Sequence, residues 1–327
     1  MGRHDLGYAA LALLATTAYY VAFLFFRSAA RRMPPLRGSR PFHVARHMLA
    51  SPVWFAGGLI LFLGLAVEVV AFAAIPLAVA QPIFAVSLVM LVVYAVWFLG
   101  ERLSPREWIS VGLFVLATVL IGLSAGSERE LTAGDTLVET LASPWQMLAV
   151  MAPAVIVSAL VWLIGDRRGS GRHARKLAGV AYGIGAGACA GLAEAGIRGI
   201  SIVYDDTGSV RAVLESPYPL LTVGMAAIAL GGLQVALQRC RLAIVATVLT
   251  VIGRTYLVMS STVLFGEDWP EERLPFVLRA GGFTLALVAL VAFPRYERPE
   301  GTDPAAAAEE ARRPVRGGDQ PDMSPIT

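Results

Sequence analysis

Charged residues are scarce in this sequence. They make up 16% of the 327 residues, whereas a soluble domain carries roughly 25%. Apolar residues make up 56%, so too little polar surface remains to face water. The composition therefore excludes an ordinary water-soluble fold and indicates that lipid covers much of the exterior. The net charge is only +3, which gives no reason to expect a nucleic-acid partner.

Cysteine and histidine are rare as well. Cys189 and Cys240 lie in apolar stretches and make no disulfide framework. Among the four histidines, His43 and His47 have the i,i+4 spacing that could bind a metal on a short helix, but their arginine-rich loop disfavours a cation. No Walker loop is present, so ATP is not expected to drive this chain. We therefore expect no enzyme activity, no metal centre and no cofactor.

Nine apolar stretches are long enough to cross a membrane. A helix needs roughly 20 apolar residues to cross a hydrocarbon core of about 30 Å, and a lone strand would leave unpaired backbone groups in lipid. The first stretch is longer than the roughly 7–15 apolar residues of a secretory signal, and its arginines follow it. The sequence thus predicts an all-α polytopic membrane protein. The nine predicted spans are residues 6–26, 53–74, 78–98, 106–124, 145–165, 176–200, 218–238, 242–265 and 275–293.

The basic residues predict the orientation of these spans. If successive spans cross the membrane in alternating directions, 20 of the 27 Lys and Arg residues fall on one side of the membrane and 4 on the other. The remaining three, Arg198, Arg254 and Arg279, lie within or close to spans. The arginine-rich side faces the cytoplasm. We therefore expect a cell-membrane protein with its N-terminus outside and its C-terminus in the cytoplasm. The tail, residues 299–327, is rich in Pro, Ala, Gly and charge and is expected to be disordered.

An internal repeat appears when the sequence is shifted by 166 residues. Gly100-Glu101 then falls on Gly266-Glu267, and Glu68 falls on Gln234. Spans 1–4 correspond to spans 6–9, and the odd fifth span turns the second unit upside down, as in many secondary transporters. The predicted organisation is two inverted four-helix repeats joined by a linker span. Its boundaries are 1–126 for the first repeat, 127–175 for the linker with span 5, 176–298 for the second repeat and 299–327 for the tail.

Short motifs in both halves resemble a known family. GLAVEVVAFAAIPLAVAQP from Gly64 to Pro82, and FLGERLSP from Phe98 to Pro105, are similar to the drug/metabolite transporter superfamily. The four-span unit is similar to the small multidrug resistance proteins. The doubled form most resembles the NIPA-type magnesium-transporter branch, and more distantly the EamA-type transporters. The resemblance implies a transporter of a small molecule or ion.

The match to the NIPA type has one departure. In that branch a Gly-Glu pair lies in the second span; here Glu68 matches the Glu, but Val67 replaces the Gly. The segments Gln234–Gln238 and Leu264–Trp269 also resemble the second half of the branch. Because the superfamily carries cations, drugs and metabolites, the resemblance leaves the substrate open.

Four charged residues stand out well inside the predicted spans as candidates for function, namely Glu68, Glu194, Arg198 and Arg254. A charge at mid-bilayer costs about 2.5–3.5 kcal/mol, so such residues face a bundle interior or a water-filled cavity. Arg198 can reach the outer interface and lies i+4 from Glu194. Arg254 lies near the centre of its span and needs a buried partner or an anionic ligand. We expect Arg254 and Glu68 to face one central cavity, with Glu68 as the proton or cation acceptor.

Uncharged polar residues could line the same path. The candidates are Gln81, Gln234, Gln238 and Tyr182, and the three glutamines are equally compatible with hydrogen bonds between helices. Small residues at every fourth position from Gly179 to Gly199 form a ridge on the sixth span. The ridge would serve tight helix packing or provide a sliding surface.

The sequence predicts a secondary transporter that moves a small solute by alternating access. Two acids face two arginines within the spans, and Arg254 would repel a divalent cation, so an anionic or zwitterionic metabolite fits the charges better than Mg²⁺. A NIPA-like Mg²⁺ transporter is the first alternative. A non-transporting scaffold is the second, which the buried charges of Glu68 and Arg254 argue against. The sequence leaves a homodimer open.

Overall fold

The described part of the chain is helical. The computed structural model describes residues 3–37, 39–72, 105–125, 142–165, 172–265 and 272–292, with part of 89–97. Every regular element in these ranges is a helix. The helices whose bounds are described are α1 (Arg3–Arg32), α2 (Pro41–Leu49), α3 (Pro52–Phe72), α4 (Pro105–Ala125), α5 (Pro144–Gly165), α6 (Arg172–Thr207), α7 (Val210–Glu215), α8 (Tyr218–Arg239), α9 (Leu242–Phe265) and α10 (Arg273–Ala292).

The helix bounds agree closely with the predicted spans in the second half. Helix α9 covers the predicted 242–265, and α8 ends one residue beyond the predicted 218–238. Helices α1 and α6 extend beyond the predicted spans 6–26 and 176–200 at both ends, because a helix can continue past the apolar residues that define a span. Helix α6 begins at Arg172, before the predicted unit boundary at 176. The predicted span 78–98 lies largely outside the described residues, and the tail 299–327 lies wholly outside them.

Local signals set the ends of several helices. Helix α6 ends at Thr207 and is followed by Gly208, whose φ of +60° lies in the left-handed region that glycine adopts without a steric penalty. Ser209 then caps α7, because its side chain accepts the N–H of Ala212 at 3.4 Å. Helices α8 and α9 are joined by only two residues, Cys240 and Arg241, so they form a tight hairpin.

Several described helices can cross a membrane. Four meet the length and hydropathy requirement, at Pro144–Leu163, Gly179–Tyr204, Tyr218–Arg239 and Leu242–Phe265. Helices α2 and α3 together form a fifth candidate, bent by 86°. The all-α prediction is confirmed for the part of the chain that the structure describes. The count of nine spans stays a prediction.

Helix α6 is the central element of the second half and packs against α5, α8 and α9. Helix α1 packs along α3, and α4 packs along α10. Helix α1 also contacts α8, which links the two halves. One buried apolar cluster lies around Phe26, Leu237 and Val245, and a second around Leu192 and Tyr218.

Hydrogen bonds fix which helix ends lie together. Arg27 Nη1, near the end of α1, donates to the carbonyl of Cys240 in the α8–α9 turn at 2.7 Å. At the opposite end, Gln146 Nε2 at the start of α5 donates to the carbonyl of Val263 near the end of α9 at 3.0 Å. Helices α1, α5 and α8 therefore run in one direction and α9 in the other. The same alternation follows from the distribution of arginines.

Candidate functional site

An ion pair joins two membrane-spanning helices. Arg254 Nη1 on α9 donates to Glu194 Oε2 on α6 at 3.0 Å. The pair is only partly enclosed, because the side chains of Arg254 and Glu194 are 20% and 42% exposed. The sequence predicted that Arg254 needs a buried partner or an anionic ligand, and the structure places the partly exposed Glu194 beside it. The pair is neutral as a unit, with an accessible carboxylate that attracts cations and a guanidinium that attracts anions.

The crossing of α6 and α9 brings these two charges together. A Cβ added at Gly191 of α6 would collide with the carbonyl oxygen of Gly253 in α9. Helix backbones approach this closely only where small residues face each other. Glu194 lies one turn after Gly191, and Arg254 follows Gly253 directly. The two glycines let the backbones of α6 and α9 touch. Glu194 and Arg254, which neighbour these glycines in sequence, are therefore close enough to pair beside the crossing.

The small-residue ridge on α6 packs against two neighbouring helices. A Cβ at Gly187 would lie 2.8 Å from the carbonyl oxygen of Leu249 on α9, and one at Gly199 would lie within 2.6 Å of ring atoms of Tyr218 on α8. The ridge thus serves tight packing in this conformation.

Arg198 lies one turn beyond the ion pair on α6. Its guanidinium carbon is 5.8 Å from the ring centroid of Phe265, a cation–π contact. The ring of Phe265 in turn lies 6.0 Å from that of Tyr218. Arg198 is therefore placed toward the end of α9, where the sequence predicted that it could reach the interface.

Gln234 and Gln238 connect α8 to α1. Gln234 is 1% exposed, and its Nε2 donates to the carbonyl of Phe26 at 3.0 Å. Gln238 Nε2 donates to the carbonyls of Ala30 and Pro34 at 2.9 and 3.1 Å, while its Oε1 accepts the N–H of Leu36 at 2.8 Å. The last four carbonyls of a helix lack partners within it, so Gln238 satisfies one of them, that of Ala30. Both glutamines thus make the interhelical contacts that the sequence allowed as the alternative to lining a path.

Gln238→Leu is expected to destabilise the protein by about 2 kcal/mol. The substitution keeps the side-chain volume but removes several hydrogen bonds, each worth roughly 0.6–1.5 kcal/mol. Thermal unfolding in detergent would measure the loss, and trypsin should cut faster after Arg37. Gln146→Leu is the matched control, because that glutamine makes a single hydrogen bond between helices, to Val263. Equal stability of wild type and Gln238→Leu would contradict the assignment.

Tyr182 is buried near the same helix ends. It is 1% exposed, and the guanidinium carbon of Arg239 lies 4.8 Å from its ring centroid. Arg239 Nη2 also approaches the carbonyl of Leu36 at 3.5 Å. The structure therefore places Tyr182 at the α8–α9 turn, about two and a half helical turns from Gly191 and more than about three turns from Glu194.

The side chains of two predicted site residues lie outside the described part of the structure. Glu68 lies on α3, but its side chain is outside the described part of the structure. Gln81 falls entirely outside it. The predicted cavity shared by Glu68 and Arg254 therefore stays a prediction.

Two polar contacts were not predicted from the sequence. Arg279 on α10 is 4% exposed, and its Nε donates to Ser124 Oγ on α4 at 3.3 Å. The Tyr256 hydroxyl on α9 donates to the carbonyl of Val150 on α5 at 2.6 Å. A polar partner for Arg279 could have been predicted, because Arg279 lies near the start of a predicted span, where a charge needs a partner.

No cluster of three or more His, Cys, Asp or Glu side chains occurs among the described residues. The rings of His43 and His47 do lie close, with centroids 4.3 Å apart. They form a pair and not a cluster of metal ligands.

Comparison with protein families decides the class of this chain. The family model for magnesium transporter NIPA matches residues 9–296. The chain belongs to the NIPA magnesium transporter family. The predicted NIPA-type resemblance is therefore confirmed. No solved structure matches the chain.

Membership in the NIPA family assigns the general role. The match spans every described helix, apart from the first residues of α1, so the ion pair and both glutamines lie within the matched region. A NIPA protein is a multi-pass membrane transporter, which requires an ion or small molecule as its substrate and lipid around it.

Proposed function

We propose that this NIPA-family chain is a secondary transporter of the cell membrane that carries a small solute past the Glu194–Arg254 pair. The ion pair carries the proposal, because charged groups inside a membrane protein are costly and mark substrate or ion pathways. Its two helices cross at glycines, so the pair lies where two rigid elements can shift against each other. A scaffold has no comparable need for a partly accessible charge pair between its spans.

The mechanism that we propose is alternating access between two inverted four-helix units. Corresponding helices pack alike in the two halves, since α1 lies along α3 as α6 lies along α8. Helices α4 and α10, the fourth of each proposed unit, pack against each other, as elements related by a two-fold axis would. Such an axis lies in the membrane plane in inverted-repeat transporters. The arginine distribution puts the C-terminus of the chain in the cytoplasm.

Mg²⁺ is the first candidate solute. The family supports it, and the pairing of Arg254 with Glu194 at 3.0 Å weakens the repulsion that Arg254 alone would exert. Mg²⁺ keeps several waters and binds through one or two carboxylates, a demand that Glu68 and Glu194 could meet. An anionic or zwitterionic metabolite is the second candidate, because the guanidinium of Arg254 stays 20% exposed beside a carboxylate.

Glu68→Gln is expected to lower solute flux at least about tenfold, because an amide cannot accept a proton and binds a cation more weakly than a carboxylate. The protein would be reconstituted in liposomes with a Mg²⁺-sensitive dye inside, and charge movement would be recorded on a solid-supported membrane. Imposed Mg²⁺, proton and metabolite gradients identify the solute. Glu215→Gln is the control, because Glu215 lies on α7 with a side chain 65% exposed.

The outcomes separate the candidate functions. Flux evoked by Mg²⁺ alone supports the first solute, and flux evoked only by a carboxylate-bearing metabolite supports the second. Unchanged flux in Glu68→Gln would remove Glu68 from the path. Absence of flux under every gradient, from protein that is monodisperse and folded, would contradict the transporter proposal.

A further inference from the structure

Helix α2 lies across the direction of the membrane spans. It is bent by 86° from α3, which at 21 residues is long enough to cross the membrane by itself. Helix α2 has nine residues, too few to span. Because transmembrane helices tilt by only about 20° on average, a helix perpendicular to α3 lies near the plane of the membrane surface.

The position of α2 is fixed by contacts with the bundle. Val44 and Met48 are 3% and 6% exposed and belong to the buried apolar cluster around Phe26. The helix contacts both α3 and α8. Just before it, the N–H of Leu36 is held by Gln238 at 2.8 Å. Helix α2 is therefore a docked element of the fold.

One apolar flank of α2 is left uncovered by the protein. Phe42 is 90% exposed and Leu49 is 67% exposed. At 100° per residue these two side chains project in nearly the same direction. Two large apolar groups on a helix in the membrane plane are stabilised when they enter the boundary between headgroups and acyl chains.

The flank of α2 beside Phe42 is basic. On the helix Arg46 lies about 40° from Phe42, His43 about 100° and His47 about 140°, and Arg40 directly precedes the helix. Arg40 and Arg46 are both exposed. No aspartate or glutamate occurs anywhere in residues 27–52, which contain six arginines. The whole segment therefore presents positive charge that no acidic neighbour in sequence offsets.

We propose that α2 is a binding site for anionic phospholipid headgroups on the face of the membrane where α1 ends. Phe42 and Leu49 enter the acyl-chain boundary, and Arg37, Arg40 and Arg46 contact the phosphates. The occupant is an anionic lipid because the flank combines apolar insertion with uncompensated positive charge, and a soluble anion would use only the charge. The proposal is independent of which solute the protein transports.

Lipid retention by the full-length protein tests the proposal. The protein would be equilibrated with equal amounts of phosphatidylglycerol and phosphatidylcholine, and bound lipids would be counted by native mass spectrometry. We expect wild type to prefer phosphatidylglycerol, and each arginine removed to lower that preference about fivefold, so Arg40→Gln/Arg46→Gln loses about 25-fold. The matched control is Arg211→Gln/Arg273→Gln, which removes the same charge from exposed positions at the opposite membrane face and should retain wild-type preference.

A second measurement tests the depth of α2 and separates lipid from other occupants. Bimane would be attached at Phe42→Cys or at His43→Cys in vesicles that contain phosphatidylglycerol and doxyl-labelled lipid; the native Cys189 and Cys240 are buried. We expect quenching at least about twofold stronger at position 42 than at 43, because the two side chains project about 100° apart. Equal quenching at the two positions, equal loss in both arginine pairs, or no preference of wild type for the anionic lipid would each overturn the proposal.

Discussion

Arg254→Leu is expected to lower solute flux in proteoliposomes at least about tenfold. The substitution leaves the carboxylate of Glu194 without the cation that lies 3.0 Å away. Removing one partner of a fully buried pair costs roughly 3–5 kcal/mol. Because Glu194 is 42% exposed, we expect a smaller loss of stability, about 2 kcal/mol. Dye-loaded liposomes would measure the flux, and thermal unfolding would measure the stability.

A neutral pair distinguishes a transport role from a structural role. In Glu194→Gln/Arg254→Gln no charge is left unpaired, so the stability should return close to that of wild type. If the pair contacts the solute, flux should remain low in this double variant. Recovery of both stability and flux would mean that the pair only holds α6 against α9, and wild-type flux in Arg254→Leu would place the pair outside the path.

Gly191→Ala is expected to be the most destabilising single methyl addition among the described glycines of α6. Its Cβ would meet the carbonyl oxygen of Gly253, and would lie 2.9 Å from the carbonyl carbon. Backbone atoms cannot turn aside as a side chain can, so the two helices must separate. Overpacking costs about 1–3 kcal/mol, and we expect the upper end here, seen as a melting temperature lowered by roughly 5–10 °C in detergent.

Gly224→Ala is the control for this substitution. Gly224 lies on α8, and a Cβ there would meet no atom within 4 Å. Alanine is more favourable than glycine within a helix by about 0.8–1 kcal/mol. The melting temperature of the Gly224→Ala protein should therefore be equal to that of wild type or higher. A Gly191→Ala protein as stable as Gly224→Ala would show that the α6–α9 contact is looser than its geometry indicates.

Hydropathy predicted the described helices of the second half well, because it is a local property of the sequence and does not depend on contacts between helices. The hairpin of α8 and α9 was predicted to within one residue. Helix α2 was not predicted as an element, because its basic residues were interpreted as part of a cytoplasmic loop, and the i,i+4 spacing of His43 and His47 was considered only for metal binding. The long ends of α1 and α6 were missed because water-facing residues continue a helix without raising its hydropathy.

The residues of the candidate site were easier to predict from the sequence than the contacts between them. Glu194 and Arg254 were both identified, but their pairing depends on how α6 and α9 face each other, and hydropathy carries no such information. Gly191 and Gly253 were a usable signal, because close crossings require small residues on both helices and the charges are their neighbours. Gln238 gave no comparable signal, since its partners are backbone groups of α1 that any sequence would supply.

The length of α6 gives its crossing with α9 a mechanical meaning. At 36 residues the helix is a rod about 54 Å long, well beyond a hydrocarbon core of about 30 Å, and Gly191 lies near its middle. A tilt of about 10° about this fulcrum would swing each end by about 5 Å in opposite directions, while Glu194, about 5 Å along the axis, would move by less than about 1 Å. Such a lever would widen one membrane face as it narrows the other, and the charge pair would stay almost still between them.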